Sequence, residues 1–314
     1  MSRSFDIEKI LKGDRRSIAR AISLVENEGE GAQALLAALY PKTGTAYRIG
    51  ITGPPGAGKS TLTNRLARYY RQQGSKVGII AVDPTSPFTG GALLGDRVRM
   101  SDVEMDDGVF IRSMASRGSL GGLSMKAQEA ADVLDAAGFG IILFETVGVG
   151  QSELDIAGAA DTTVVVLVPE SVDGIQAMKA GLMEIADLFV MNKADRPGAE
   201  QAVMSIQMIL GMRPHDATTW MPNVSKTTAS EGKGIEEVAG EIARHRSYLE
   251  KSGGFGRRRE EQMRKRVEEI VRERTALRFW TDQRRTALTA ALPGIIRRQH
   301  SPYAVAEELI SSAQ

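Results

Sequence analysis

Residues 49–61 read IGITGPPGAGKST, and this stretch constrains the fold more than any other part of the chain. It starts as an apolar run, continues as a loop with three glycines and ends in Lys-Ser-Thr, the G-x-x-x-x-G-K-S spacing of a phosphate-binding loop. Such a loop needs a buried strand before it and a helix after it, and residues 48–52 and 62–73 have these two patterns. The sequence therefore predicts an α/β protein that binds a nucleotide.

The residue types of this loop account for its expected chemistry. Gly53, Gly56 and Gly58 can adopt the positive φ angles that let backbone N–H groups surround an anion. The Lys59 ammonium can reach the β- and γ-phosphates, and the Ser60 hydroxyl can bind Mg²⁺. We predict that the whole loop contacts the nucleotide, through Gly53, Pro54, Pro55, Gly56, Ala57, Gly58, Lys59, Ser60 and Thr61.

Two acidic residues follow later apolar runs. Residues 76–82 (KVGIIAV) predict a strand that ends at Asp83, and residues 140–144 predict a strand that ends at Glu145. Ligands of parallel α/β sheets bind where the strands end. Glu145 with Gly148 after it is typical of the segment that holds Mg²⁺ through water and senses the γ-phosphate. Asp83 fits a ligand role at the same edge, or the cap of a helix.

Residues 188–191 predict another strand, which leads directly into the stretch NKAD at residues 192–195. The Asp195 carboxylate can accept the N1 hydrogen and an amino hydrogen of guanine, and adenine does not present these two donors together. Downstream of a phosphate loop, this stretch predicts GTP rather than ATP. Residues 228–230 stand where a second loop that contacts the base is expected. The predicted base contacts are therefore Asn192, Lys193, Asp195, Thr228, Ala229 and Ser230.

Two glycine-rich segments separate the predicted strands. Residues 88–100 (FTGGALLGDRVRM) contain Asp96, and residues 116–123 (SRGSLGGL) precede an alanine-rich helix predicted at residues 124–137. Each segment could be an ordinary loop. Two such loops close to a phosphate site are more typical of switch or lid segments that move with the nucleotide.

Both ends of the chain have helical patterns, which divide it into three predicted regions. Residues 1–45 form a helical N-terminal extension, in which Asp14 or Ser17 caps a helix. Residues 46–247 form the nucleotide-binding domain, and residues 248–314 form a C-terminal helical arm. The arm begins with a charged helix at residues 257–280, whose narrow apolar stripe fits either a solvated helix on the main domain or an intermolecular contact.

Composition excludes several classes of function. The chain has 314 residues and a formal net charge of +1, and this charge gives no reason to expect a nucleic-acid partner. It has no cysteine, which excludes disulfides, thiolate metal sites and a cysteine nucleophile. No secretory signal and no membrane-spanning run is visible, so we expect a cytoplasmic protein that does not bind membranes. His215, His245 and His300 are predicted to be surface residues rather than ligands. The methionines of residues 178–221 are interpreted mostly as core residues.

Taken together, these motifs resemble the MeaB/ArgK family of P-loop GTPases, which are chaperones of adenosylcobalamin-dependent acyl-CoA mutases and include the human methylmalonic aciduria type A protein. The stretches that carry the resemblance are GPPGAGKST, VDPTSPFTGGALLGDRVRM, SRGSLGGL, FETVGVGQSE, NKAD and the loop at residues 228–234. The resemblance implies the fold of a P-loop NTPase, with a central, mostly parallel sheet, a helical N-terminal extension and a helical C-terminal arm that forms a homodimer.

The resemblance also implies roles for individual residues. Ser60, Asp83, Asp96 and Glu145 would surround Mg²⁺ beside GTP or GDP, with Lys59 and Gly148 completing the catalytic set. Residues 169–181 would be a third switch that contacts the mutase. The family's usual PGAGDELQGIKKG is here PESVDGIQAMKAG, which changes most of its glycines. The matching polar residues, expected to couple the nucleotide to the partner, are Asp173, Gln176 and Lys179.

The expected function is therefore that of a GTP-hydrolysing chaperone, which gates cofactor loading into the mutase and protects or reactivates it. A GTPase that matures a nickel centre is an alternative, which the absence of cysteine and the scattered histidines disfavour. A transport-associated ATPase or kinase is another, which residues 192–195 disfavour. Val149 follows Gly148 where Ras-type enzymes have a glutamine that orients water, so slow basal hydrolysis is expected, accelerated by the partner.

Overall fold

The structure, a computed structural model of the chain, describes residues 6–84, 105–116, 125–146, 152–171, 180–216 and 218–311. The chain divides into two compact units, residues 1–259 and residues 260–314. The first unit contains the sheet and all the described residues of the predicted nucleotide site. The second is helical.

A seven-stranded sheet forms the centre of the first unit, and every pair of neighbouring strands is parallel. The strand order is β3-β2-β4-β1-β5-β6-β7. The predicted α/β fold with a central parallel sheet is thus confirmed. The strands are β1 (Tyr47–Thr52), β2 (Val77–Pro84), β3 (Val109–Ser116), β4 (Ile141–Thr146), β5 (Thr162–Leu167), β6 (Leu188–Asn192) and β7 (Val224–Thr227).

Helices cover both faces of this sheet, which is why most strands are continuous apolar runs. The helices α1–α3 and α5 pack on one face, and α4 and α9 pack on the other. Helix α8 covers β5 and β6. In the described residues of the first unit the helices are α1 (Ile7–Leu11), α2 (Arg15–Glu26), α3 (Ala32–Leu39), α4 (Lys59–Gln72), α5 (Met125–Ala136), α6 (Ser152–Asp155), α7 (Ala180–Ile185), α8 (Ala199–Gly211) and α9 (Ile235–Lys251), and α10 (Gly254–Phe279) begins there.

The N-terminal helices are part of the core of the first unit. Ile10, Ile18 and Leu39 are fully buried in the same cluster as residues of β2 and β4. Of the two predicted caps, Asp14 is the one that begins α2, because its side chain accepts a hydrogen bond from the Ser17 amide at 2.8 Å.

Strand β3 was not predicted from the sequence. Arg112 interrupts its apolar pattern, and the structure shows that this guanidinium pairs with Glu26 of α2 rather than with solvent. Because β3 lies at the edge of the sheet, it has one strand neighbour instead of two. An edge strand with a charged residue lacks the buried apolar run by which the other strands were recognised.

The prediction that all three histidines lie on the surface is wrong for His245, which is 1% exposed. Its Nδ1 lies 2.8 Å from the Thr162 hydroxyl and its Nε2 lies 3.3 Å from Asp187 Oδ1. Burial lowers the pKa of His245 to about 4, so the ring is neutral at physiological pH. Its role is to pack α9 against the amino-terminal edge of β5 and β6.

The interpretation of the methionines as core residues is also wrong for one helix. Met204, Met208 and Met212 are 60%, 63% and 73% exposed. They lie four residues apart, on α8 and directly after it, and therefore on one helical face. The opposite face of α8 buries Val203, Ile206 and Leu210.

The second unit contains the rest of α10, together with α11 (Asp282–Ile296) and α12 (Pro302–Ser311). Helix α11 was not predicted. Val267 and Val271 of α10, which belong to the predicted apolar stripe, are exposed. None of the described helices has the length and apolar content needed to cross a bilayer.

Candidate active site

The predicted site residues that the structure describes lie at the carboxyl edge of the sheet, because the central strands end at the same level. Ile51 of β1 and Ala81 of β2 both pair with Glu145 of β4, and Thr52 pairs with Val165 of β5. The carboxyl ends of these strands therefore lie side by side, as expected of a ligand site in a parallel α/β fold.

The phosphate loop joins β1 to α4 and has the predicted strained backbone. Gly53, Gly56 and Gly58 have φ angles of +135°, +74° and +89°. A Cβ atom on Gly53 would lie 2.1 Å from the carbonyl oxygen of Val166, and one on Gly58 would lie 2.3 Å from Asn192 Nδ2. Glycine is therefore required at these two positions by close approach as well as by φ.

Lys59 is the first residue of α4, and its ammonium is drawn into the loop. Its Nζ donates hydrogen bonds to the carbonyl oxygens of Gly53 at 2.8 Å and Pro54 at 3.0 Å, and the residue is buried. The positive charge thus lies at the helix N-terminus, inside the loop that the sequence predicts to surround phosphate.

Two of the four predicted metal ligands are in direct contact. The Ser60 hydroxyl donates a hydrogen bond to Glu145 Oε1, and Glu145 is buried at the end of β4. Oxygen atoms of this kind are the ligands that Mg²⁺ prefers. The backbone of Asp83 is in β2, one residue past the pair Val82–Thr146. The side chain of Asp83, the whole of Asp96 and Gly148 lie outside the described residues.

Asn192 connects the phosphate loop to the second predicted loop. Its Nδ2 donates to the Ala57 carbonyl at 2.8 Å, and its Oδ1 accepts from the Thr227 hydroxyl at 3.0 Å and the Ala229 amide at 3.1 Å. Asn192 was predicted as a contact of the base. The structure shows that one buried amide also fixes the two loops relative to each other.

We call residues 228–233 the base loop, because it contains three predicted base contacts. Backbone bonds between Thr228 and Lys233 close it, at 3.2 Å and 3.3 Å. The Thr228 hydroxyl donates to Asp195 Oδ1 at 3.3 Å. Lys193 has a φ of +55° and donates through Nζ to the Gly56 carbonyl at 2.9 Å. The structure thus brings Asn192, Lys193 and Asp195 together with the base loop and the phosphate loop.

Sequence reasoning missed Arg65 of α4, which also contacts the base loop. Its Nε donates to the Ala229 carbonyl at 3.0 Å, and its Nη2 donates to the Ser230 carbonyl at 2.6 Å. No motif marks this residue, because its partners are backbone atoms more than 160 positions away along the chain.

The segment predicted to couple the nucleotide to a partner follows β5. Its first residues form a short turn, Pro169–Ser171, in which Glu170 pairs with Arg196 at 2.5 Å. This ion pair is exposed and connects the turn to the residues after the NKAD stretch. Asp173, Gln176 and Lys179 lie outside the described residues.

A family model described as methylmalonyl-CoA mutase-associated GTPase MeaB matches residues 18–284, which include the whole site. The chain belongs to the MeaB family of GTPases. It is accordingly a GTPase, and the predicted family and enzyme class are confirmed.

The chain is also similar to three proteins that carry different names. A relative from Pyrococcus abyssi, named as a GTPase, is 53% identical over 268 residues, 85% of this chain and 82% of the relative. The mitochondrial methylmalonic aciduria type A homologue of Caenorhabditis elegans is 34% identical, over 82% of this chain and 69% of the relative. A crystal structure named LAO/AO transport system kinase has a TM-score of 0.74 and 29% identity, and the match covers 98% of this chain and 96% of that chain.

Proposed function

We propose that this MeaB-family GTPase is a chaperone of an adenosylcobalamin-dependent acyl-CoA mutase, in the cytoplasm and as a homodimer. GTP binding and hydrolysis would gate cofactor loading and protect or reactivate the mutase. The observation that carries the proposal is the Asn192 side chain, which joins a phosphate loop to a base loop in a chain of the mutase-associated family. Because this one side chain contacts both the loop for the phosphates and the loop for the base, it is suited to couple the two parts of the site when a nucleotide binds.

Guanine recognition would depend on Asp195. Its carboxylate lies beside the base loop, where the Thr228 hydroxyl holds one oxygen at 3.3 Å. We expect GTP and GDP to bind much more tightly than ATP and ADP, because the carboxylate can pair with two guanine donors. Asp195→Asn should weaken GTP binding, since an amide oxygen with an adjacent NH₂ group can accept only one of those hydrogens. Isothermal calorimetry with both nucleotides measures the difference.

The matched control for this variant is Glu200→Gln. Glu200 is an exposed acid on α8 that pairs with Lys226 at 2.5 Å, so its conversion to an amide removes the same charge outside the site. Its nucleotide affinities should equal those of the wild type. Equal affinities of the wild type for GTP and ATP would contradict the assignment of the base.

The phosphate end of the site suits a Mg²⁺–nucleotide complex. Ser60 and Glu145 already place two oxygen atoms together at the end of β4, and Asp83 and Asp96 are the further proposed ligands. A bound Mg²⁺ would neutralise charge that develops on the phosphates. Lys59 would bind the β- and γ-phosphates, since its ammonium lies inside the loop, and Gly148 would sense the γ-phosphate.

Basal hydrolysis should be slow, below about 1 s⁻¹ and thus under the usual range of enzymes, because Val149 cannot orient water. The test is the GTPase rate of the full chain with and without candidate acyl-CoA mutases, together with co-purification of a cobalamin-binding subunit. A mutase that binds and accelerates hydrolysis supports the chaperone role. A chain that hydrolyses GTP rapidly and is indifferent to every mutase would contradict it.

The name of the similar structure, LAO/AO transport system kinase, suggests a second use of the fold, phosphoryl transfer to an acceptor. The two functions differ in the fate of the γ-phosphate. A chaperone GTPase releases all of it as inorganic phosphate, whereas a kinase transfers it to an acceptor. Labelled GTP and ATP, each incubated with the full chain, distinguish the two outcomes.

A further inference from the structure

Arg65, on helix α4, donates two hydrogen bonds to the base loop. Helix α4 begins at Lys59, so the same helix carries the residue that would bind phosphate and, less than two turns later, the guanidinium at the base loop. Both partners of Arg65 are backbone carbonyls, of the consecutive residues Ala229 and Ser230. The arginine therefore holds the path of the backbone, whatever side chains the loop carries.

The base loop is held from two sides. On one side, Asn192 accepts a bond from the Ala229 amide at 3.1 Å and Asp195 accepts one from the Thr228 hydroxyl at 3.3 Å. On the other side, Arg65 donates at 3.0 Å and 2.6 Å. Ala229 is thus fixed through both its amide and its carbonyl, and it is 1% exposed.

The two sides differ in strength. A guanidinium that donates two bonds in a fixed fork is charge-assisted and geometrically specific. The Thr228–Asp195 bond is a longer one, at 3.3 Å. If Arg65 is removed, the loop can shift away from α4, and the Thr228–Asp195 contact is the first to lengthen. The Asp195 carboxylate would then lose the contact that fixes its orientation.

We propose that Arg65 is a positioning residue for guanine recognition. It holds the base loop so that Asp195 faces the donors of guanine, and it ties this recognition to the helix whose N-terminus carries the phosphate loop. The inference rests on the proposed selection of guanine by Asp195. It adds a residue outside the motifs, and it predicts that nucleotide specificity depends on a side chain that does not touch the nucleotide.

The experiment compares the affinities and release rates of GDP, inosine diphosphate and ADP in the full chain. Inosine diphosphate lacks the 2-amino group, so the ratio of GDP to inosine diphosphate affinity reports the second bond to Asp195. In the wild type this ratio should favour GDP. In Arg65→Ala we expect GDP to bind roughly tenfold more weakly or worse, from the loss of two charge-assisted bonds, and the ratio to approach one. The KM for GTP should rise by more than kcat falls.

Two further variants control for charge and folding. Arg68→Ala removes an exposed arginine from the same helix and should keep the wild-type ratio. Arg65→Lys keeps the charge without the fork, so its ratio should lie between those of the wild type and Arg65→Ala. If Arg65→Ala does not fold, the ratio of GDP to inosine diphosphate affinity in Arg65→Lys tests the role of Arg65.

The results separate the inference from the function on which it rests. A wild type that does not prefer GDP to ADP refutes the proposed guanine selection, and the role of Arg65 with it. A wild type that prefers GDP, with Arg65 variants that keep the wild-type ratio or weaken GDP and inosine diphosphate by the same factor, overturns the role of Arg65 alone. A ratio that falls in Arg65→Ala and not in Arg68→Ala supports it.

Discussion

Asp187 should be one of the most costly residues to remove from the first unit. It precedes β6, at the edge of the sheet opposite the nucleotide site. Its carboxylate accepts the Thr163 amide at 2.8 Å and both Nη atoms of Arg258 at 2.9 Å, with His245 Nε2 at 3.3 Å. Burial acts to lower the pKa of Arg258, but its bonds to Asp187 outweigh this and raise the pKa above its usual value. Arg258 is therefore positively charged, and its bonds to Asp187 anchor the first turns of α10.

The expected cost of Asp187→Ala follows from what the substitution leaves behind. Removal of one partner from a buried ion pair costs about 3–5 kcal/mol, because the other charge stays uncompensated. The Asp187 side chain is 11% exposed and that of Arg258 is 28% exposed, which favours the lower end, about 3 kcal/mol. In a domain of this size, roughly 2–4 °C of Tm corresponds to each kcal/mol, so the Tm should fall by about 6–12 °C.

The assay can be made specific to this region. The chain has two tryptophans, and Trp220 lies 4.8 Å from His245, ring centre to ring centre, and donates to the Asp187 carbonyl at 2.8 Å. In a Trp280→Phe background, tryptophan fluorescence on heating therefore follows the first unit. Glu200→Ala is the control, since it breaks an exposed pair worth about 0–1 kcal/mol. If Asp187→Ala lowers the Trp220 transition by no more than the control does, the ion pair is not the anchor inferred here.

Three further predictions concern pH, the metal and the partner. Burial lowers the pKa of His245 from 6.5 to about 4, so the unfolded chain binds more protons than the folded chain between these pH values. The contribution of neutral His245 to the free energy of unfolding should be complete above about pH 6.5. It should be lost as the pH falls towards 4, by up to about 3 kcal/mol. The unfolding temperature of His245→Gln, followed by Trp220 fluorescence, should then depend less on pH in that range than that of the wild type. The same dependence on pH in both proteins would argue against this role of His245. Glu145→Ala should reduce GTP turnover more than GDP affinity, because Ser60 and Glu145 would hold the Mg²⁺ that would neutralise charge developing on the phosphates; an unchanged turnover would exclude this role. Lys179→Ala should leave GTP affinity and basal hydrolysis nearly intact and abolish most of the mutase-stimulated rate, a change that needs a coupling free energy of only about 1–3 kcal/mol; full stimulation of the variant would show that Lys179 is not the coupling residue.

The missed elements show where prediction from the sequence fails physically. The buried strands were recognised because both of their faces are apolar, as in β4 and β5. Strand β3 carries Arg112, whose charge is compensated by Glu26 from a helix distant in sequence. Helix α11 has no buried residue, so no apolar stripe marks it. In both cases the local sequence lacks the apolar pattern from which the other elements were predicted. For β3 a long-range contact decides the structure, and for α11 only weak local propensity does.

The histidine and methionine errors have the same origin. His245 lies between charged residues in sequence, which suggested a surface position, yet helix α9 turns it inward onto Thr162 and Asp187. Met204, Met208 and Met212 are apolar and were expected inside, yet the buried face of α8 is already formed by other residues. Residue type alone does not state which face of a helix is covered.

Local patterns in the amino-acid sequence were enough to determine the phosphate loop, the NKAD stretch, the order of most strands and helices and the family. This is possible because a phosphate loop is built from neighbouring residues, whose φ angles and helix N-terminus depend on glycine spacing and on the strand and helix beside it. The tertiary structure alone decided how the loops are joined. Asn192 meets Ala57, Arg65 meets Ala229 and Asp187 meets Arg258 across 135, 164 and 71 positions of sequence. Hydrogen bonds over such separations form only once the parallel sheet has aligned the ends of its strands, and no local pattern encodes them.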